Sequence, residues 1–310
     1  MKTIKKLPFI LSILSLLSIF SPANADIKVV ASIKPIHSLV SYLMDGVGKP
    51  DLIVDGYASP HGFSMKPSHA KMLQNADLIF WVGEDLENFL EKPLKSIAKK
   101  AEKIELMETK GLKKLKFRER NIFEEHGHDE HKEHGHKEDK HDDHKHDEHK
   151  EHGHKEDKHD DHHGHAHGEH DPHICLDPIN AKAILSEMAK HLIEKDPSNA
   201  SKYKANLKKA HNALDNLTKK VKSELKGNFK SIVFHDAYQY FEKRFDVNVL
   251  GAFTVNTDVL PGAEQLAEIR EVIEHEKVTC VFSEPQFNPC LLYTSPSPRD
   301  DELSRMPSSA

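Results

Sequence analysis

The chain has 310 residues, 37% of them hydrophobic, and a formal net charge of -6 at neutral pH. That length allows two domains with their own cores, and the lack of a basic patch beyond Lys2, Lys5, Lys6 and short helical runs sets nucleic acid aside as a partner. Three cysteines, Cys175, Cys280 and Cys290, leave an odd thiol in an oxidising compartment.

The first residues read as a secretory signal. Lys2, Lys5 and Lys6 precede an apolar run from Leu7 to Phe20, and Ala23-Asn24-Ala25 forms a small-residue cleavage site before Asp26. Cleavage is expected after Ala25. The run is shorter than the ~20 apolar residues of a membrane span, and no cysteine follows it to take a lipid. The expected location is the periplasm.

From Asp26 the pattern alternates strand and helix. Ile27 to Ala31 reads as a buried strand, Ile36 to Leu43 as an apolar-faced helix, and Asp51 to Val54 as a second strand. A turn-rich stretch from Gly56 to Gly62 leads to a helix near Pro67, since proline suits a first helical turn. Leu78 to Gly83 is the third strand, Leu86 to Lys100 a helix, and Lys103 to Leu106 a fourth strand. Together they predict a parallel α/β sheet.

The stretch from His126 to His173 differs from all of this. His128 to His144 recurs unchanged as His146 to His162, and between Glu125 and His170 the only aliphatic or aromatic residue is Ala166. Nothing there offsets the entropy of ordering it, so a mobile, disordered loop is expected. Its imidazoles and carboxylates are ligands for borderline metals such as zinc, nickel and copper. A loose multi-site metal collector is the expected role, with a solvated linker as the plainer alternative.

Pro178 to Glu194 reads as helix, and Asp196-Pro197-Ser198 starts a second helix running to about Leu225, long enough to be a spine between two domains. The α/β pattern then restarts. Ser231 to Phe234 is a strand, Tyr238 to Arg244 a helix, Val247 to Gly251 a strand, Ala263 to Glu276 a helix opened by Pro261-Gly262, and Val278 to Phe282 a strand. From Leu292 to Ala310 the sequence shows no period and no core. The expected architecture is α/β, with two Rossmann-like parallel-sheet domains joined by a long helix. Its boundaries are a signal peptide over 1–25, an N-terminal α/β domain over 26–124 and again over 171–195, and a His-rich loop over 125–170. A linking helix over 196–227, an incomplete C-terminal α/β domain over 228–289 and an artefactual tail over 290–310 complete it.

Ligands of open parallel sheets bind at the carboxyl ends of the strands. His61 follows the second strand, His235 ends the strand Ile232-Val233-Phe234, and His173 stands where the His-rich insertion rejoins the fold. Three neutral imidazoles brought together make a tetrahedral zinc site with a fourth position for water, a carboxylate or another His. A lone strand-end His also serves as a plain hydrogen-bonding residue, and spacing this long does not choose between the two. Cys175 reads as a small core residue or a soft ligand. Asp236 and Glu284 read as carboxylates that orient a ligating His or as turn residues. His37, His69, His191, His211 and His275 are expected to face solvent, and Trp81 to lie in a core.

Three motifs carry a resemblance. Ala58-Ser59-Pro60-His61-Gly62-Phe63-Ser64-Met65-Lys66-Pro67-Ser68, Leu73-Gln74-Asn75-Ala76-Asp77-Leu78 and Val233-Phe234-His235-Asp236-Ala237-Tyr238-Gln239-Tyr240-Phe241 are similar to the zinc-binding periplasmic proteins of ABC transporters, the ZnuA type. The resemblance covers Asp26 to about Pro289 and includes a His-rich insertion at this place. It implies two α/β domains joined by a rigid helix, one zinc ion in the cleft between them, and delivery to a membrane permease by a monomer. His61, His173 and His235 match the family's zinc ligands. Members continue with further strand and helix units, and with a second cysteine that pairs with the one matching Cys280. Cys290 to Ala310 instead resembles translated adapter or vector sequence. Two rival functions remain at this level. A secreted zinc hydrolase shares the three-His-plus-water arrangement but lacks an H-E-x-x-H motif and a general base. A stand-alone metal buffer needs only the tract.

Overall fold

The computed structural model describes residues 27–118, 120–122, 168–227, 229–255, 257 and 261–287. The expected signal peptide, most of the His-rich tract and the tail over 290–310 lie outside them. The chain divides into two compact units, the first made of residues up to 110 with 181–216, the second of 111–180 with the residues from 217 onward.

The first unit is built on a parallel sheet in which β1 (Val29–Ala31) lies between β2 (Asp51–Leu52) and β3 (Leu78–Trp81), and β4 (Glu102–Glu105) pairs on the far side of β3. Every residue of β1 and β3 is buried, as strands covered on both faces require. Helix α1 (Lys34–Leu43) has Pro35 in its first turn, where a missing N–H costs nothing, and turns Ile36, Val40 and Leu43 inward at helical spacing. Helices α2 (Pro67–Asn75) and α3 (Glu84–Ser96) follow β2 and β3, and α4 (Pro178–Lys195) adds Ile184, Leu185, Met188 and Leu192 to the core. The strand order 2-1-3-4 reverses between β1 and β3. That reversal opens a crevice beyond their carboxyl ends.

Helix α5 (Ala200–Glu224) carries the chain onward: residues to Asn216 cluster with the first unit and those from Leu217 with the second. The second unit holds β5 (Lys230–His235), flanked in parallel by β6 (Asn248–Thr254) and β7 (Cys280–Phe282). Helix α6 (Gln239–Phe245) joins β5 to β6, and α7 (Ala263–His275) joins β6 to β7. Ile232, Leu250 and Phe253 from the sheet pack with Ile269, Val272 and Ile273 of α7 and with Val278. Both units are thus mixed α/β with parallel sheets, as the alternation predicts. Among the described residues no helix is long and apolar enough to cross a membrane.

One strand runs further than its sequence suggests. The reading placed its end at Gly251, but β6 continues to Thr254, because this glycine is there for contact and not for a turn. Asn121 lies across the strand: the Ala252 N–H donates to its carbonyl at 2.8 Å, and its Nδ2 donates to the carbonyls of Ala252 and Phe253 at 3.1 and 2.8 Å. A Cβ at Gly251 would stand 2.5 Å from the Asn121 carbonyl oxygen, a backbone atom that cannot swing aside. Gly251→Ala is therefore expected to destabilise the second unit by about 1–3 kcal/mol, the range for overpacking a close contact. Urea denaturation checks it, and unchanged stability would mean that residues 120–122 do not clamp this strand.

The helical histidines also depart from expectation. Only His275 is well exposed, at 80% of its side chain. His69 is buried and uses Nδ1 to accept the Lys66 N–H at 3.1 Å, closing the first turn of α2. His37 reaches the Pro50 carbonyl at 3.0 Å, and His191 is enclosed by carboxylates. A helical His with a nearby polar backbone group buys a hydrogen bond by turning inward, which period alone does not reveal.

Candidate metal centre

His235 is the last residue of β5, and the apolar run Ile232-Val233-Phe234 is what drives it inward: all three are buried, and His235 itself is 6% exposed. Its Nδ1 lies 2.9 Å from Glu284 Oε1. Glu284 is held by the turn after β7, where the Phe287 N–H donates to the Glu284 carbonyl at 3.1 Å and the Phe287 ring stacks on Phe234 at 4.9 Å. An ionised carboxylate only accepts, so Nδ1 carries the proton and the lone pair of the neutral ring sits on Nε2.

His173 repeats the device. The Asp171 side chain is 1% exposed, and its Oδ1 accepts both the backbone N–H of His173 at 2.9 Å and the ring Nδ1–H at 2.7 Å. Asp171 is fixed in turn: its N–H donates to the Leu115 carbonyl at 2.8 Å, and its own carbonyl accepts the Tyr240 hydroxyl at 2.7 Å. The two imidazoles meet nearly edge to face, with centroids 5.3 Å apart and planes at 67°. Both offer an Nε2 lone pair while a carboxylate holds the opposite nitrogen. That is how metal-ligating histidines are oriented. Burial pushes the His235 pKa below its ordinary value, with the Glu284 hydrogen bond acting against it, so the ring stays neutral and competent to bind a metal.

The sequence leaves Glu284 and Asp236 each as a carboxylate that orients a ligating His or as a turn residue; Glu284 is the one bonded to the imidazole. Asp236 instead accepts from Arg118 at 2.9 Å, and the same guanidinium grips Glu242 at 3.1 and 2.5 Å. Burial raises the Asp236 carboxyl to about 6, with Arg118 pulling it down. Asp171 is the residue that sequence reasoning missed. Its signal is its place two residues before His173, which lets one carboxylate oxygen cap both the backbone and the ring.

His61 belongs to the first unit. It sits half-buried in the loop after β2, at the carboxyl end of the sheet, with its N–H donating to Ser59 Oγ at 3.3 Å. Phe63 pins this loop, its ring tilted against Phe89 and His69 with centroids 5.0 and 5.4 Å away. The structure brings His173 and His235 together in the second unit and sets His61 in the strand-end loop of the first.

Two parallel α/β units, with a pair of imidazoles each held by a carboxylate, have the features expected of a metal-binding protein of the solute-binding class. The comparisons agree: residues 29–295 match the family model for the periplasmic zinc-uptake complex component A, and the chain belongs to that family. The high-affinity zinc uptake system protein ZnuA of Brucella abortus is 47% identical over 268 residues, covering 86% of this chain and 79% of that protein. The protein of the same name from Yersinia pestis is 36% identical, covering 90% of this chain and 82% of its own length. Among solved structures, a crystal structure of ZnuA aligns with a TM-score of 0.65 at 20% identity, over 86% of this chain and 85% of that one. The laminin-binding protein of Streptococcus agalactiae, described as having adhesin and metal-transporting activity, aligns with a TM-score of 0.63 at 19% identity, over 87% and 84%.

Proposed function

We propose that this chain is a periplasmic zinc-binding protein that captures Zn2+ with His61, His173 and His235 and delivers it to the permease of an ABC transporter. The observation that carries the reading is the His173–His235 pair, two largely enclosed imidazoles whose Nδ1 atoms are each held by a carboxylate. Neutral nitrogen donors without thiolates suit zinc among the borderline ions. His61 supplies the third donor by its match to the family motif, and a water or carboxylate completes the tetrahedron. The His-rich tract serves as a loose collector that raises the local zinc concentration.

The reading is one of binding and delivery, not catalysis. A zinc hydrolase needs a base beside the metal-bound water, and the Asp171 and Glu284 carboxylates beside the pair are already engaged as hydrogen-bond acceptors for the ring N–H groups. The test uses a zinc ABC permease from the same organism, reconstituted in vesicles with its ATPase. The zinc-loaded chain is expected to stimulate ATP hydrolysis and zinc entry, and to cleave neither ester nor peptide substrates. Hydrolytic turnover, or a permease indifferent to the loaded chain, would contradict the proposal.

A further inference from the structure

The first unit carries a separate group of ligating atoms. Glu102 opens β4, and His191 and Glu194 lie about one turn apart on α4; one donor atom from each falls within 4.8 Å of the others. His191 Nδ1 is 2.6 Å from Glu102 Oε1 and 3.9 Å from Glu194 Oε2, while Nε2 is 2.9 Å from Glu187 Oε1. These residues stand at the amino end of β4, and His61 follows the carboxyl end of the same sheet.

The ring poses a donor-count problem. A neutral imidazole has one N–H, and ionised carboxylates only accept. With Nε2–H given to Glu187, the Nδ1 lone pair faces the Glu102 oxygen at contact distance. A second ring proton satisfies that contact, and a cation that takes its place reaches the same Nδ1 and Glu102 oxygen together with Glu194. A cation engages all three donors, whereas a proton serves two. Glu187 meanwhile sets the tautomer from behind, as Asp171 and Glu284 do for their rings but through the other nitrogen. The His191 side chain is only 15% exposed and Glu194 58%, so the histidine is fixed and the Glu194 side is open to water as a further ligand.

We propose that Glu102, His191 and Glu194 form a second divalent-metal site, one imidazole and two carboxylates taking manganese or zinc. It is weaker than a three-imidazole zinc site, because Glu194 must be ordered from solvent. Lys195, with Nζ 3.8 Å from Glu102 Oε2, competes with the metal for that carboxylate, and Lys190 does the same at Glu187, 3.1 Å away.

The test is Mn2+ titration of the full chain, followed by amide NMR so that the response is local and separable from the His-rich tract. The amides of Lys103, Leu192 and Lys195 are expected to lose intensity saturably, and Zn2+ to restore it by displacement. Glu102→Gln with Glu194→Gln should raise the midpoint at least ~10-fold, and Lys195→Ala should lower it a few-fold by removing the competing ammonium. Absent or unsaturable broadening, or a midpoint indifferent to Lys195→Ala, overturns the site and leaves an ion-pair cluster. The Lys195 variant decides even where the double carboxylate variant fails to fold.

Discussion

His235→Ala is expected to lower the affinity for the tightest zinc equivalent by well over ~100-fold, beyond the ~10–100-fold that loss of an orienting partner costs. The alanine removes a donor nitrogen that β5 delivers already desolvated, and it leaves the Glu284 carboxylate facing a cavity without its N–H. Glu284→Gln is the informative companion. The amide keeps the shape and can still accept from Nδ1 through its oxygen, so it should cost at most the range of an orienting group. His211→Ala supplies the control, since His211 lies in the first unit bonded to the Lys182 carbonyl at 3.1 Å. Competition titrations with a chelator measure all three. Equal losses for His235 and His211 would sink the ligand assignment.

The second large effect concerns stability. Glu87 is wholly buried beyond the ends of β1 and β3, departs from helical backbone angles within α3 (φ -124°, ψ 50°), and accepts the N–H groups of Val82 and Gly83 on Oε2 at 2.7 and 3.0 Å. Burial pushes its pKa up to about 7; the Ser32 hydroxyl and the two backbone donors act against burial, and Glu105 adds to the rise. The unfolded carboxyl loses its proton near 4.5. Between that value and about 7 the folded chain holds a proton that the unfolded chain has lost, so stability falls as pH rises through this window and levels off above it. At ~1.4 kcal/mol per pKa unit the fall is about 3 kcal/mol. Glu87→Gln should flatten that slope while keeping an oxygen for Val82 and Gly83. Glu87→Ala leaves both buried N–H groups without an acceptor, which costs about 1–3 kcal/mol each. Denaturant curves at pH 5 and pH 8, with chelator present, measure both. A wild-type chain equally stable at both pH values would show that Glu87 does not hold a proton.

What the sequence made legible follows from the range of each interaction. Period and punctuation located every strand of the described residues, because β1, β3 and β5 are short apolar runs between turn residues. The strand-end positions of His61 and His235 were legible for the same reason. Long-range pairings were not. That Asp236 turns to Arg118 while Glu284 takes the histidine depends on side chains far apart in sequence. Glu102 and His191 are likewise brought together only by the packing of α4 beside β4. Gly251 misled the reading because a glycine that ends a strand and one that admits a neighbouring backbone look alike in one sequence. His69 misled it because a helical period says which face turns inward, not whether a polar ring finds a partner there.

The central claim is that one zinc ion is held by His61, His173 and His235. Its most direct test is a zinc-edge anomalous difference map from crystals of the chain given one equivalent of Zn2+. The account predicts a single dominant peak with imidazole nitrogens of all three residues at about 2.0–2.1 Å. A dominant peak in the His-rich tract, at Glu102 and His191, or beside His173 and His235 without His61, would contradict it.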